Sequence, residues 1–151
     1  MASPFDFNSG DILTAAELNE IGDTQSWVPT WQYLTIGNAS VTALYNVVNN
    51  VCFYFVKVAF GSTTSFSGNA RLSAPVNNSL NSYQNGSAWL RPTGGTIYKG
   101  HCTVINNTIY PYSQLPVTSG GYIRSVNVNG SNPATWTTSG SMYLNGAYQV
   151  A

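Results

Sequence analysis

Beyond residue 23 the chain alternates short hydrophobic runs with clusters of Asn, Ser, Thr and Gly, and within the runs the period is two. That spacing predicts strands near 31–36, 40–48, 51–60, 69–75, 87–91, 96–105, 108–112, 122–128, 140–144 and 147–150, as in an all-β sandwich or barrel. Asn145 and Gly146, flanked by Tyr143-Leu144 and Ala147-Tyr148, carry the strongest hairpin signal, because both residues tolerate the positive φ of a tight turn. Asn49-Asn50 and Asn106-Asn107 are weaker turns of the same kind. Pro29, Pro75, Pro92, Pro111, Pro116 and Pro133 are expected at strand ends, where a missing N–H does least harm.

The segment 51–60 is the most informative strand. Alternation places Val51, Phe53, Phe55 and Ala59 on one face, and Cys52, Tyr54, Val56, Val58 and Phe60 on the other. Both faces are apolar, although an antiparallel sheet usually wets one of them. One face is therefore expected in the core and the other against a neighbouring subunit, the subunit contact being assigned to Tyr54, Val56, Val58 and Phe60. A covering loop from the same chain is the alternative. Ten tyrosines and four tryptophans also need burial or partners.

The first residues follow another pattern. Residues 1–10 read as extended, with Phe5 and Phe7 as apolar points. Thr14-Ala-Ala-Glu17 then forms a capping box, in which two side chains satisfy free N–H groups at a helix start, and Gly22 supplies a stop. Barely two turns fit between them, and so short a helix is marginal alone in water. It is expected to form on docking, either on its own domain or, as preferred here, on a neighbouring subunit or particle. The chain thus divides into an attachment segment with a short helix, 1–26, and a β-sandwich body, 27–151. Phe5, Phe7, Leu13, Leu18 and Ile21 are the expected attachment contacts.

Charge sharpens that division. All five acidic residues, Asp6, Asp11, Glu17, Glu20 and Asp23, precede all five basic ones, Lys57, Arg71, Arg91, Lys99 and Arg124. An acid-free body has no carboxylate pair for glycosidic cleavage, no carboxylate cage for Ca²⁺ or Mg²⁺, and no acid to orient a histidine. His101 and Cys102 are adjacent, so in a strand they point to opposite faces. One His and two Cys fall short of the four ligands of a structural zinc site. The expectation is no enzyme, no metal and no cofactor.

Hydrophobic residues make up 43% of the chain, enough for a core, while 7% are charged against a usual ~25%. A net charge of zero argues against nucleic-acid binding. The run 51–60 is far short of a membrane span, and the opening residues lack the pattern of a signal peptide. Cys52 and Cys102 are either small buried hydrophobes or a disulfide. Tyr83, Trp89, Tyr110 and Tyr112 are candidate glycan contacts, with core packing or hairpin pairing as their competing role.

Phe7-Asn-Ser-Gly-Asp-Ile-Leu-Thr-Ala-Ala-Glu-Leu-Asn19 resembles the opening of tailed-bacteriophage tail-fibre and other virion-appendage proteins, including receptor-binding and head-fibre or decoration types. Trp27-Val-Pro-Thr-Trp31, Ile36-Gly-Asn-Ala39 and the close from Pro133 to Ala151 are similar to segments of small β-domains in such proteins, and residues 77–130 carry no resemblance. Ser139-Gly-Ser141 stands where related sequences often have Gly-Asp. The resemblance implies an all-β, jelly-roll-like antiparallel β-sandwich of the tumour-necrosis-factor or C1q type. It also implies a homotrimer, contacts with other phage structural proteins through residues 1–23, and a place in the virion. The expected function is a small tail-fibre, tail-tip or head-decoration component. The alternative is a receptor-binding, lectin-like module for a host surface glycan.

Overall fold

The computed structural model describes residues 23–79, 84–116 and 122–151, with the backbone alone at 84 and 85. Among these residues ten strands follow in chain order: β1 (Gln25–Ser26), β2 (Trp31–Thr35), β3 (Ser40–Val48), β4 (Val51–Ala59), β5 (Ser65–Ser73), β6 (Gln84–Arg91), β7 (Tyr98–Ile105), β8 (Thr108–Pro116), β9 (Ile123–Asn127) and β10 (Ser141–Gln149). There is no helix among the described residues. The capping box and the expected attachment contacts Phe5, Phe7, Leu13, Leu18 and Ile21 lie outside them, as does Tyr83.

All strand pairings are antiparallel, in one sheet ordered β1-β3-β4-β10-β6-β7-β8-β5-β2, with β9 on the edge of β8. β2 and β3 stand near opposite ends of that order, yet only residues 36–39 join them. Such a link spans at most about 18 Å when fully extended, so the sheet must curl until its ends approach. Asn38 fixes this corner: its side-chain oxygen accepts hydrogen bonds from the Thr63 amide at 3.0 Å and the Thr63 hydroxyl at 2.9 Å.

The concave side holds one core. Val56 pairs laterally with Ala43 and Leu144, and Leu144 with Ala88. Val58 lies between Val41 and Met142, and Met142 pairs with Leu90. From the other layer, Leu34, Ala70, Leu72 and Ile109 complete the cluster. At its end Phe60 stacks on Trp136 at 4.7 Å, and the Trp136 indole donates to the Asn129 carbonyl at 2.9 Å. Cys52 and Cys102 are both buried as free thiols.

Two expectations from the sequence are corrected here. Tyr54, Val56, Val58 and Phe60, assigned to a subunit contact, are buried in the chain's own core, at 4%, 0%, 0% and 7% exposure. The curl closes over that face because its cross-strand neighbours are apolar as well. Asn145-Gly146 makes no turn but lies inside β10, which runs unbroken between β4 and β6. Gly146 is needed there for space: a Cβ would meet the Tyr54 hydroxyl at 2.7 Å and the Gly86 Cα at 2.9 Å. The Tyr54 ring thus occupies the room that two paired glycines leave.

The weaker Asn pairs do turn the chain. Asn49 and Asn50 have φ of 48° and 60°, and Asn106 and Asn107 have 47° and 61°. These values match the left-handed positions of a two-residue hairpin turn, which asparagine tolerates well. Pro111 is another departure, since it sits within β8 and is buried. Its carbonyl accepts from the Val128 amide, on the edge where β8 has left β5 and not yet joined β9. The missing N–H falls in that gap.

Candidate functional site

The convex side of β3, β4, β10, β6 and β7 is the surface on which function is to be sought. Register places one row of side chains across all five strands: Thr42, Lys57, Tyr143, Trp89 and Lys99. The next row runs Leu44, Phe55, Asn145, Ser87, His101 and Tyr112. A third begins Asn46, Phe53 and Ala147, and a fourth Val48, Val51 and Gln149. Phe53 and Trp89 are 48% and 51% exposed.

This face has two halves. Toward the Asn49-Asn50 turn it is apolar and uncharged, with a shallow depression of about 240 Å³ lined by Thr24, Leu44, Tyr45, Asn46, Phe53, Tyr54 and Phe55. Toward the start of β10 it is aromatic and cationic. There a depression of about 440 Å³ is lined by Phe55, Trp89, Arg91, Ile97, Tyr143 and Asn145. Ile97 is 51% exposed and comes from the loop joining β6 to β7. The Lys57 ammonium lies 5.7 Å from the Tyr143 ring centroid, and Lys99 stands opposite Trp89. Phe55 belongs to both depressions and marks the boundary.

The electrostatics follow from composition. No side-chain carboxylate occurs after Asp23, so Lys57, Arg91 and Lys99 find no acidic side chain within the β body. Arg71 and Arg124 lie elsewhere, on β5 and β9. Arg71 is engaged by aromatic groups: its guanidinium carbon is 4.7 Å from the Tyr33 ring and 5.7 Å from the Tyr110 ring, and it donates to the Tyr110 hydroxyl at 3.5 Å. Tyr33 takes φ 60° at the β2 bulge and packs against Gly68, where any Cβ would lie 3.1 Å from its ring.

The sequence-derived glycan contacts therefore separate. Trp89 is exposed and lines the larger depression. Tyr110 is half-buried against Arg71, and Tyr112 stacks on His101 at 5.0 Å with an interplanar angle of 11°. Phe55, Arg91, Ile97, Tyr143 and Asn145 were not singled out as glycan contacts from sequence. Tyr143 had a visible signal, as the aromatic residue between Met142 and Leu144 in an alternating run. Phe55 and Asn145 meet the β6 side of the depression only through pairing between strands distant in sequence.

The buried titratable groups lie on the opposite side of the sheet and serve packing. Burial pushes the Cys102 thiol up to about 12, and the Tyr54 hydroxyl beside it lowers it only partly. Burial also raises Cys52, Tyr54 and Tyr148. The Tyr148 hydroxyl donates to the Val76 carbonyl at 2.7 Å, tying β10 to the segment after β5. A thiol with a raised pKa is a poor nucleophile at neutral pH. Among the described residues, no group of three or more His, Cys, Asp or Glu is placed to hold a metal ion. No family model, no curated protein and no solved structure matches the chain.

Proposed function

We propose that this chain is a bacteriophage virion structural protein, a small homotrimeric tail-fibre, tail-tip or head-decoration component mounted through its N-terminus. The observation that carries this reading is the uncharged half of the convex face. Leu44, Val48, Val51, Phe53 and Phe55 form an uncharged, largely apolar patch, interrupted by Asn46, that the chain itself leaves half-covered. Charge-poor apolar patches of this kind form the centres of protein–protein contacts. A second copy is the occupant that accompanies every molecule of the protein, and closed symmetry is the usual result.

The resemblance of residues 7–19 to appendage openings points to the virion as the setting, with residues 1–23 as the attachment element. A jelly-roll-like body of the tumour-necrosis-factor or C1q type fits the long return that brings β10 between β4 and β6, a connection of the kind Greek-key folds use. Sedimentation equilibrium of the full chain at micromolar concentration tests the assembly. A trimer that Phe53→Glu converts to folded monomers is expected, and a folded wild-type monomer overturns it. Immunolabelling of purified phage particles with an antibody against the β body tests the setting.

The larger depression favours a second reading, a receptor-binding module for a host surface glycan. Trp89 and Tyr143 present aromatic rings to solvent with polar groups around them, the combination typical of small ligand sites. The two readings are compatible, because they use different halves of one face.

A further inference from the structure

We infer that the depression between β4, β10, β6 and the β6–β7 loop binds an anionic saccharide, one whose sugar ring carries a carboxylate or a phosphate. This rests on the receptor-binding reading and names its site and ligand class. Size fits first: about 440 Å³ falls in the ~300–1,000 Å³ range of small-ligand pockets. Trp89 and Tyr143 are directly paired across β6 and β10, so their Cβ atoms are about 5 Å apart, and both side chains line the depression. An aromatic face is electron-rich and suits the C–H side of a pyranose. Asn145 supplies both a donor and an acceptor for ring hydroxyls.

Charge selects the anionic subset of sugars. Arg91 lines the depression, Lys57 lies beside Tyr143, and Lys99 faces Trp89, so three of the five cations in the chain border one site. Residues 24–150 contain no carboxylate. A second β body has no acidic side chain to set against these cations, which opposes using this half as a subunit contact. The Arg91 fork matches a carboxylate or phosphate in two parallel hydrogen bonds. Nucleic acid is the weaker candidate, since phosphate tracking needs many cations and this chain has five at zero net charge.

The test uses the full chain with ¹⁵N-labelled indoles, the Trp89 resonance being assigned through Trp89→Phe. A galacturonate trimer and glucose 1-phosphate provide the carboxylate and phosphate arms. The methyl-esterified trimer, hexaglutamate and oligo(dT) are the counter-ligands. At least one anionic sugar should move the Trp89 resonance saturably, with at least tenfold weaker binding by the methyl ester and a loss of tenfold or more in Arg91→Gln. No movement with either anionic sugar overturns the site. So does an equal response to the ester, to hexaglutamate or to oligo(dT), or undiminished binding in Arg91→Gln. Sedimentation of the same samples keeps the two proposals apart. A trimer blind to both sugars overturns this site alone, whereas a monomer that binds them overturns the assembly and leaves the site standing.

Discussion

The two faces of β4 come from one nine-residue strand and are both rich in large apolar groups, yet one is sealed and the other open. Val56 and Val58 continue sideways into Val41, Ala43, Met142, Leu144, Ala88 and Leu90, so both rows are apolar. Phe53, Phe55 and Lys57 continue into Asn46, Thr42, Asn145, Ser87 and Lys99, so each ring has polar neighbours. The hydrophobic effect scales with the apolar area removed from water, so the face whose rows are apolar gains more by closing. A strand's inner face is thus chosen by its neighbours as much as by its own residues.

The sharpest break of that contrast is in the sealed row. Leu144→Ala should cost about 2–5 kcal/mol, because the cavity left under β10 cannot collapse, and should lower the urea midpoint strongly. An effect as small as that of an outward substitution would mean the core is misassigned. Gly146→Ala comes next, at about 1–3 kcal/mol, since the new methyl group would press on the Tyr54 hydroxyl and the Gly86 backbone. Pairing it with Tyr54→Phe, which removes the obstructing oxygen, should recover part of that loss. Equal losses in the single and double variants would show that the contact is not the cause.

The sealed face also sets a pH dependence. Folded Cys102 titrates near 12 against 9.0 for an unburied thiol, so its neutral form is favoured by folding. That contribution is fully present below pH 9 and is lost as the pH rises from 9 toward 12. Tyr54 and Tyr148 are raised in the same direction and add to it. Urea midpoints at pH 7, 9 and 11 should fall only in the last step, and a constant midpoint would contradict the burial of these groups. The smallest effect on stability belongs to the open face. Phe53→Ser should cost the dissociated, folded subunit no more than about 1 kcal/mol while abolishing assembly in the sedimentation experiment.

Much of the fold was legible along the chain. The boundaries of β3, and the turns at Asn49-Asn50 and Asn106-Asn107, follow from local alternation and from the tolerance of asparagine for positive φ. These are short-range properties that a few adjacent residues determine. β1 was not foreseen, because two polar residues, Gln25 and Ser26, carry no alternation and become a strand only by pairing with Leu44 and Tyr45. The same limit explains Asn145-Gly146. Its local chemistry asks for a hairpin, but β4 and β6 flank it on both sides and Tyr54 fills the space at Gly146, so tertiary pairing overrides the turn signal.

For the site the balance is similar. The sequence by itself determined an all-β body with no acidic side chain after residue 23, so that the body's cations have no acidic side chain within the body to pair with. It also singled out Trp89. Only the tertiary structure decided which face of β4 is interior, and that Lys57, Tyr143, Trp89 and Lys99 share one row. The reason is register: the side chains of a strand alternate locally, but their company across the sheet depends on pairing between residues more than fifty positions apart, which no local pattern encodes.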